Sequence, residues 1–107
     1  MTKNKFVKWD IWYASFRFDN STETKERPVV VLSENPSFVL ALKVTSSGLI
    51  NQTHDYIITK WQEAGLTKPS VVKTNQRLPL ADVDFKHKIG SLHKDDILML
   101  RFKIGTN

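Results

Sequence analysis

The run Arg27-Pro28-Val29-Val30-Val31-Leu32 limits what this chain can become. Three successive β-branched residues followed by leucine favour a buried strand. Proline pushes the residue before it out of helical space, so Arg27 must enter that strand extended. A guanidinium fixed at a strand mouth is a ready anion site. Upstream, Val7 to Phe18 forms a second extended segment in which Trp12, Ala14, Phe16 and Phe18 share one face, and Ile11, Tyr13, Ser15 and Arg17 the other. One of these faces reads as core. Between the strands, Asp19 to Glu26 is polar and reads as a long hairpin connection of the kind that commonly carries function.

The rest of the chain continues in short apolar segments. Glu34-Asn35-Pro36-Ser37 reads as a turn and Phe38 to Thr45 as a third strand. His54 to Thr59 predicts a short strand, Trp61 to Gly65 a turn of helix, and Val71 to Leu80 a further strand with Pro79 marking its end. Asp82 to Lys88 is too short and mixed to assign. At the C-terminus, Asp95 and Asp96 stand where a helix favours anions, Ile97, Leu100 and Ile104 recur at helical spacing, and Gly105 can cap. These elements predict a mainly β fold: a small, strongly curved antiparallel sheet, closed or nearly so, with one C-terminal α-helix.

With 107 residues, 40% of them hydrophobic, the chain has material for one modest core and is expected to form a single domain over 1–107. It has no cysteine, which excludes disulfides and thiol chemistry, and its three histidines, His54, His87 and His93, show no metal-ligand spacing. No metal site and no cofactor are expected. The start Met-Thr-Lys-Asn-Lys leads into no signal-like apolar stretch and no run approaches a membrane span, so a cytoplasmic protein is expected. Lysine and arginine number 16 against 11 acidic residues, a net charge of +5 that favours a polyanionic partner: nucleic acid or an acidic protein.

Four segments in order carry a family resemblance. The aromatic strand with Arg27-Pro28, the strand Leu40 to Ser46 ending in hydroxyl residues, Trp61 to Leu66 followed by Lys68-Pro69-Ser70, and Lys88 to Leu92 as a closing turn together resemble the MazF/PemK-like toxins, the ribonuclease partners of toxin–antitoxin pairs. The resemblance implies an SH3-like barrel of the MazF/PemK/CcdB toxin type. It also implies a homodimer that cuts single-stranded RNA independently of ribosomes and metal, and an acidic antitoxin protein as partner.

In such a reaction the ribose 2′-hydroxyl attacks the adjacent phosphorus, which needs a base, an acid for the leaving 5′ oxygen, and positive charge at the equatorial oxygens. The resemblance assigns Arg27 to the phosphate, which its planar fork suits. Thr45 becomes a hydroxyl donor to a non-bridging oxygen, with Ser46 and Ser47 as neighbours able to supply the same group. Glu23 is the candidate base, with Glu26 as substitute. Lys73, Asn75 and Arg77 are substrate-binding candidates on the following strand. Several relatives resemble Arg-x-Asp where this chain has Lys73 and Asn75, and asparagine cannot act as a base. A degenerate relative that binds RNA or a protein without cleavage is therefore the alternative. Gyrase poisoning, known for another toxin family of this fold, is disfavoured by Arg27-Pro28 and Thr45. The histidines match no family site; Trp12 reads as core and Trp61 as a surface or interface residue.

Overall fold

The computed structural model describes residues 5–17, 24–46, 48 and 50–105. Its strands are β1 (Asp10–Arg17), β2 (Thr24–Glu34), β3 (Val39–Thr45), β4 (Asp55–Ile57), β5 (Val71–Leu80) and β6 (Phe85–Ser91), followed by the helix α1 (Lys94–Gly105). All ladders are antiparallel, in the order β4-β5-β3-β2-β1-β6. The mainly β architecture with a C-terminal helix follows the expectation. Irregularities in the β1–β6, β2–β3 and β3–β5 ladders bend the strands, but among the described residues no ladder joins the edge strands β4 and β6.

Both faces of the sheet are covered, which corrects the reading of β1 as one-sided. Trp12, Ala14 and Phe16 pack with Val29, Val31, Ala41, Phe6 and Phe85 on one face. Ile11, Val30, Leu42, Val44 and Val72 pack on the other with Ile58, Ala64, Leu66 and, from the helix, Leu100. Alternation along β2 therefore serves two cores, and each fully buried valine contributes about 1.5–3 kcal/mol. Phe18 lies outside the described residues.

Two boundaries differ from the sequence reading. β2 begins at Thr24, because Thr24, Lys25 and Glu26 pair with Arg17, Phe16 and Ser15. Arg27 thus sits within the strand opposite Ala14, not at its mouth. Asp82 to Lys88, left unassigned, forms a 3₁₀ turn at Asp82–Asp84 and then β6. That strand pairs with β1 alone and buries only Phe85, so it lacks the alternation that betrays a strand. Lys88 to Ser91, read as a turn, are part of it.

The predicted turns are built by local hydrogen bonds. Asn35 Oδ1 accepts the Ser37 N–H at 2.8 Å and the Phe38 N–H at 2.9 Å, an Asx-type turn between β2 and β3. Residues 60–66 fold into a compact turn, with the Ala64 N–H donating to the Lys60 carbonyl at 3.1 Å and the Leu66 N–H to the Trp61 carbonyl at 3.0 Å. Gly65 takes φ +96°, and a Cβ there would lie 2.7 Å from the Ile89 carbonyl oxygen. Gly90 meets the same turn from the other side, where a Cβ would approach the Ala64 oxygen to 2.2 Å. The two glycines let the turn dock backbone to backbone on β6. Trp61 packs partly buried against the second core, so it is less exposed than its surface reading.

The helix is latched by Asp96. This fully buried carboxylate accepts the Thr59 N–H at 2.9 Å, the Thr59 hydroxyl at 2.8 Å, the Lys60 N–H at 2.8 Å and the Tyr56 hydroxyl. Ile97, Leu100 and Ile104 face the second core at the predicted spacing. Among the described residues no helix is long and apolar enough to cross a membrane.

Candidate active site

Pro28 has no N–H to give to a neighbouring strand. The β2–β3 ladder runs Val31↔Ala41, Val30↔Leu42, Val29↔Lys43 and stops there. The same register continued would set Pro28 against Val44 and Arg27 against Thr45. β3 instead continues with β5 as far as Thr45↔Val71. Where the two strands part, a cavity of about 460 Å³ opens, lined by Tyr13, Glu26, Arg27, Pro28, Val44, Thr45, Ser46, Leu66, Thr67, Lys68 and Ser70. Pro28, without an N–H to donate, stands at the point of parting.

The cavity holds two cations, one carboxylate and five hydroxyls. Arg27 is exposed, and its Nη1 donates to the Glu26 carbonyl at 3.0 Å. Lys68 and Ser70 belong to a turn in which the Ser70 hydroxyl donates to the Lys68 carbonyl at 2.9 Å, while the Ser70 carbonyl accepts the Ile58 N–H at 3.0 Å. Tyr13 is half-buried and its ring lies 4.8 Å from that of His87 on β6. Positive charge with convergent hydroxyl donors suits a phosphodiester.

A second cavity of about 210 Å³ shares Thr45, Ser46 and Ser70 with the first and is further lined by Gly48, Ile50, Asp55, Ile57, Pro69, Val71 and Lys73. Lys73 stands opposite Lys43 in the β3–β5 ladder, a like-charge pairing that costs stability on its own. Asp55 offsets it: Lys73 Nζ lies 2.8 Å from Asp55 Oδ2, in an ion pair with side-chain exposures of 16% and 1%. The same Oδ2 accepts the Asn51 N–H at 2.7 Å. Burial alone would raise the Asp55 pKa; the Asn51 N–H and the Lys73 ammonium outweigh it and hold the carboxyl below its ordinary range.

The structure brings together Arg27, Thr45, Ser46 and the substitute base Glu26, with Lys73 in the adjoining cavity. Glu23 and Ser47 lie outside the described residues. Asn75 and Arg77 line neither cavity: the β3–β5 register jumps from Lys43↔Lys73 to Leu42↔Arg77, so residues 74–76 have no partner on β3; Thr74 is buried against the His54 carbonyl, and Asn75 and Arg77 are exposed. Sequence reasoning did not place Tyr13, Thr67, Lys68 or Ser70 in the site. The Lys68-Pro69-Ser70 motif was a signal for the last two; Tyr13 was hidden among the alternating residues of β1.

The antiparallel sheet thus parts beside a strand proline, and an arginine and a threonine line the cavity there. The sequence matches the family described as PemK-like, MazF-like toxin of type II toxin-antitoxin system over residues 7–106, and the chain belongs to that family. Among solved structures, the Mycobacterium tuberculosis toxin MazF-mt6 is similar at 22% identity and a TM-score of 0.70, covering 91% of this chain and 93% of that one. An endoribonuclease in complex with its cognate antitoxin, from a mycobacterial species, aligns at 12% identity and a TM-score of 0.71 over 94% of this chain and 91% of that chain. A mycobacterial endoribonuclease aligns at 13% and 0.71 over 96% and 90% respectively. These three likenesses show the shared fold. Among curated proteins no sequence matches.

Proposed function

We propose that this toxin is an endoribonuclease that cuts single-stranded RNA without a metal ion and independently of ribosomes. The observation that carries the reading is that Arg27 and Thr45 line one cavity where β2 and β3 part, together with Lys68 and four further hydroxyls. Arg27 and Lys68 supply the positive charge that the phosphorane oxygens need, and Thr45 donates to a non-bridging oxygen. The 2′-hydroxyl oxygen attacks phosphorus as its proton passes to a base, the bond to the 5′ oxygen breaks, and that oxygen gains a proton. The products are a 2′,3′-cyclic phosphate and a 5′-hydroxyl. Glu26 is the carboxylate available to the cavity among the described residues. Glu23, expected as the base, remains a proposal of the family resemblance.

The endoribonuclease solved with its cognate antitoxin supports an antitoxin as partner here, and the resemblance makes that antitoxin acidic. The net charge of +5 is the complementary surface for such a segment and for RNA. A cytoplasmic homodimer, each chain a single toxin domain, completes the reading that the resemblance implies. The test is incubation of purified protein with single-stranded RNA in excess chelator. Cyclic-phosphate and 5′-hydroxyl ends are expected; cutting that depends on added magnesium overturns the metal-free mechanism, and tight RNA binding with no cutting returns the chain to the degenerate alternative.

A further inference from the structure

Tyr13 stands on the core side of a central strand and belongs to neither core. Residues two apart on a strand share a face, which puts it beside Ile11, a fully buried member of the second core. Tyr13 itself is only half-buried and packs with neither cluster. It lines the cavity that also holds Arg27 and Thr45, and among the described residues it is the one aromatic there. The ladders set Tyr13 opposite His87 of β6 on one side and opposite Pro28 of β2 on the other, and directly opposed residues share a face. His87, Tyr13 and Pro28 thus form one row across three strands, leading from the edge of the sheet into the cavity. The rings of His87 and Tyr13 lie 4.8 Å apart between centroids with their planes tilted by 44°, so the imidazole buttresses the phenol ring without lying flat on it. A half-exposed ring on the wall of a phosphate cavity is what proteins that hold single-stranded nucleic acid use as a base platform.

We propose that Tyr13, buttressed by His87, is the stacking platform for the nucleobase of the nucleotide whose phosphate enters the cavity, and that it grips this base by its face without reading its identity. The inference rests on the reading of the cavity as a phosphate site. Every base has a π-face, so a platform of this kind adds affinity for all four. Its use to the reaction is orientation. A nucleotide held at its phosphate by Arg27 and at its base by Tyr13 has its ribose restrained between the two, and attack by the 2′-hydroxyl needs the sugar in one arrangement. His87 is a positioning residue, because it acts on the base only through the Tyr13 ring.

The test titrates the labelled whole protein with the four nucleoside 3′-monophosphates and with ribose 3-phosphate, following amide shifts. All five should perturb Arg27 and Thr45. The four nucleotides should also perturb Tyr13 and His87 and bind about tenfold more tightly than ribose 3-phosphate, the increment one stacked base supplies. Tyr13→Phe should keep that ratio and Tyr13→Leu should bring it close to one. His87→Ala should lower it about threefold and His87→Phe restore it, as expected of a cross-strand partner that sets the ring. A folded Tyr13→Leu variant with the full ratio overturns the proposal, as does a Tyr13→Phe variant that loses it, which would give the role to the hydroxyl. A folded His87→Ala variant with the full ratio overturns the part given to His87. If Tyr13→Leu does not fold, the unaltered protein still decides: equal affinities for nucleotides and ribose 3-phosphate, or base-dependent shifts confined to Ile57 and Val71 of the second cavity, overturn the platform. Shifts at Arg27 and Thr45 without any base increment leave the phosphate site standing and remove the platform; no response to any of the five removes both.

Discussion

Arg27 and Thr45 occupy the positions that would pair next if the β2–β3 ladder continued past Val29↔Lys43. Pro28, which lacks an N–H, stands where the two strands part, and Arg27 and Thr45 both line the cavity there. This relationship sets the first expectation. Arg27→Ala should lower RNA cleavage by about a hundredfold or more, the usual loss when one donor to developing charge is removed. Arg27→Lys should recover only part, since it restores charge without the fork. Single-turnover cleavage of a labelled oligonucleotide measures both, and a folded Arg27→Ala variant with unaltered rate removes Arg27 from the chemistry.

Asn75 departs from the acidic residue of several relatives, but it lies in the stretch of β5 without a partner on β3 and lines neither cavity. Asn75→Asp is therefore expected to leave turnover within about twofold, as surface substitutions away from a site do. Glu26→Gln, inside the cavity, is expected to lower it. A large gain from Asn75→Asp in the same assay would show that the missing base belongs on that strand.

The latch at Asp96 makes stability depend on pH. Burial raises its pKa, but the donors from Tyr56, Thr59 and Lys60 outweigh this and hold the carboxyl below its ordinary range. The folded state thus binds the proton more weakly than the unfolded chain. The stabilisation is complete above the unfolded carboxylate value of about pH 4 and is lost as pH falls through the lower folded value. Asp96→Ala leaves two backbone N–H groups and two hydroxyls short of a partner and should cost at least about 3 kcal/mol at neutral pH. Urea unfolding at pH 7 and pH 3 should show the variant's deficit shrinking in acid.

The sequence made the element order legible because strands β2, β3 and β5 carry unbroken apolar or alternating runs and α1 repeats at Ile97, Leu100 and Ile104. β6 was missed because an edge strand with only Phe85 buried has no pattern to read. For the site, Arg27 and Thr45 were named by resemblance and line one cavity, while Asn75 and Arg77 line neither, a separation set by a register shift that cannot be seen in an apolar-polar string. Asp96 was read as a helix-dipole partner; its role as a buried acceptor depends on Tyr56 and Thr59, some forty residues away, which no local pattern reports.

Backbone contact at Gly90 predicts a sharp steric effect. A Cβ there would sit 2.2 Å from the Ala64 oxygen, and backbone cannot give way as a flexible side chain would. Gly90→Ala should destabilise by about 1–3 kcal/mol or more, as overpacking does. Gly48→Ala, whose Cβ would meet nothing within 4 Å but whose φ is +94°, should cost about 1–2 kcal/mol from backbone strain alone. Thermal denaturation of the two variants separates collision from strain.

Charge placement supplies a further expectation. Lys68 lies in the cavity among hydroxyls, so Lys68→Ser should weaken RNA binding uniformly across sequences and reduce the salt slope by about one. Lys73→Met should instead unfold the protein more readily, by about 3 kcal/mol, because it strands the buried Asp55 carboxylate. Binding titrations at several salt concentrations, paired with urea melts, distinguish the two lysines.

The proline in β2 sets activity against stability. A residue with an N–H at position 28 could extend the β2–β3 ladder toward Arg27 and Thr45, closing by ordinary sheet formation the gap in which RNA is proposed to bind. Pro28→Val would then give a tighter but duller enzyme. If that gap is the RNA site, the usual route of adding a hydrogen bond would trade function for stability at this position, and selection for robustness alone would tend to close the site.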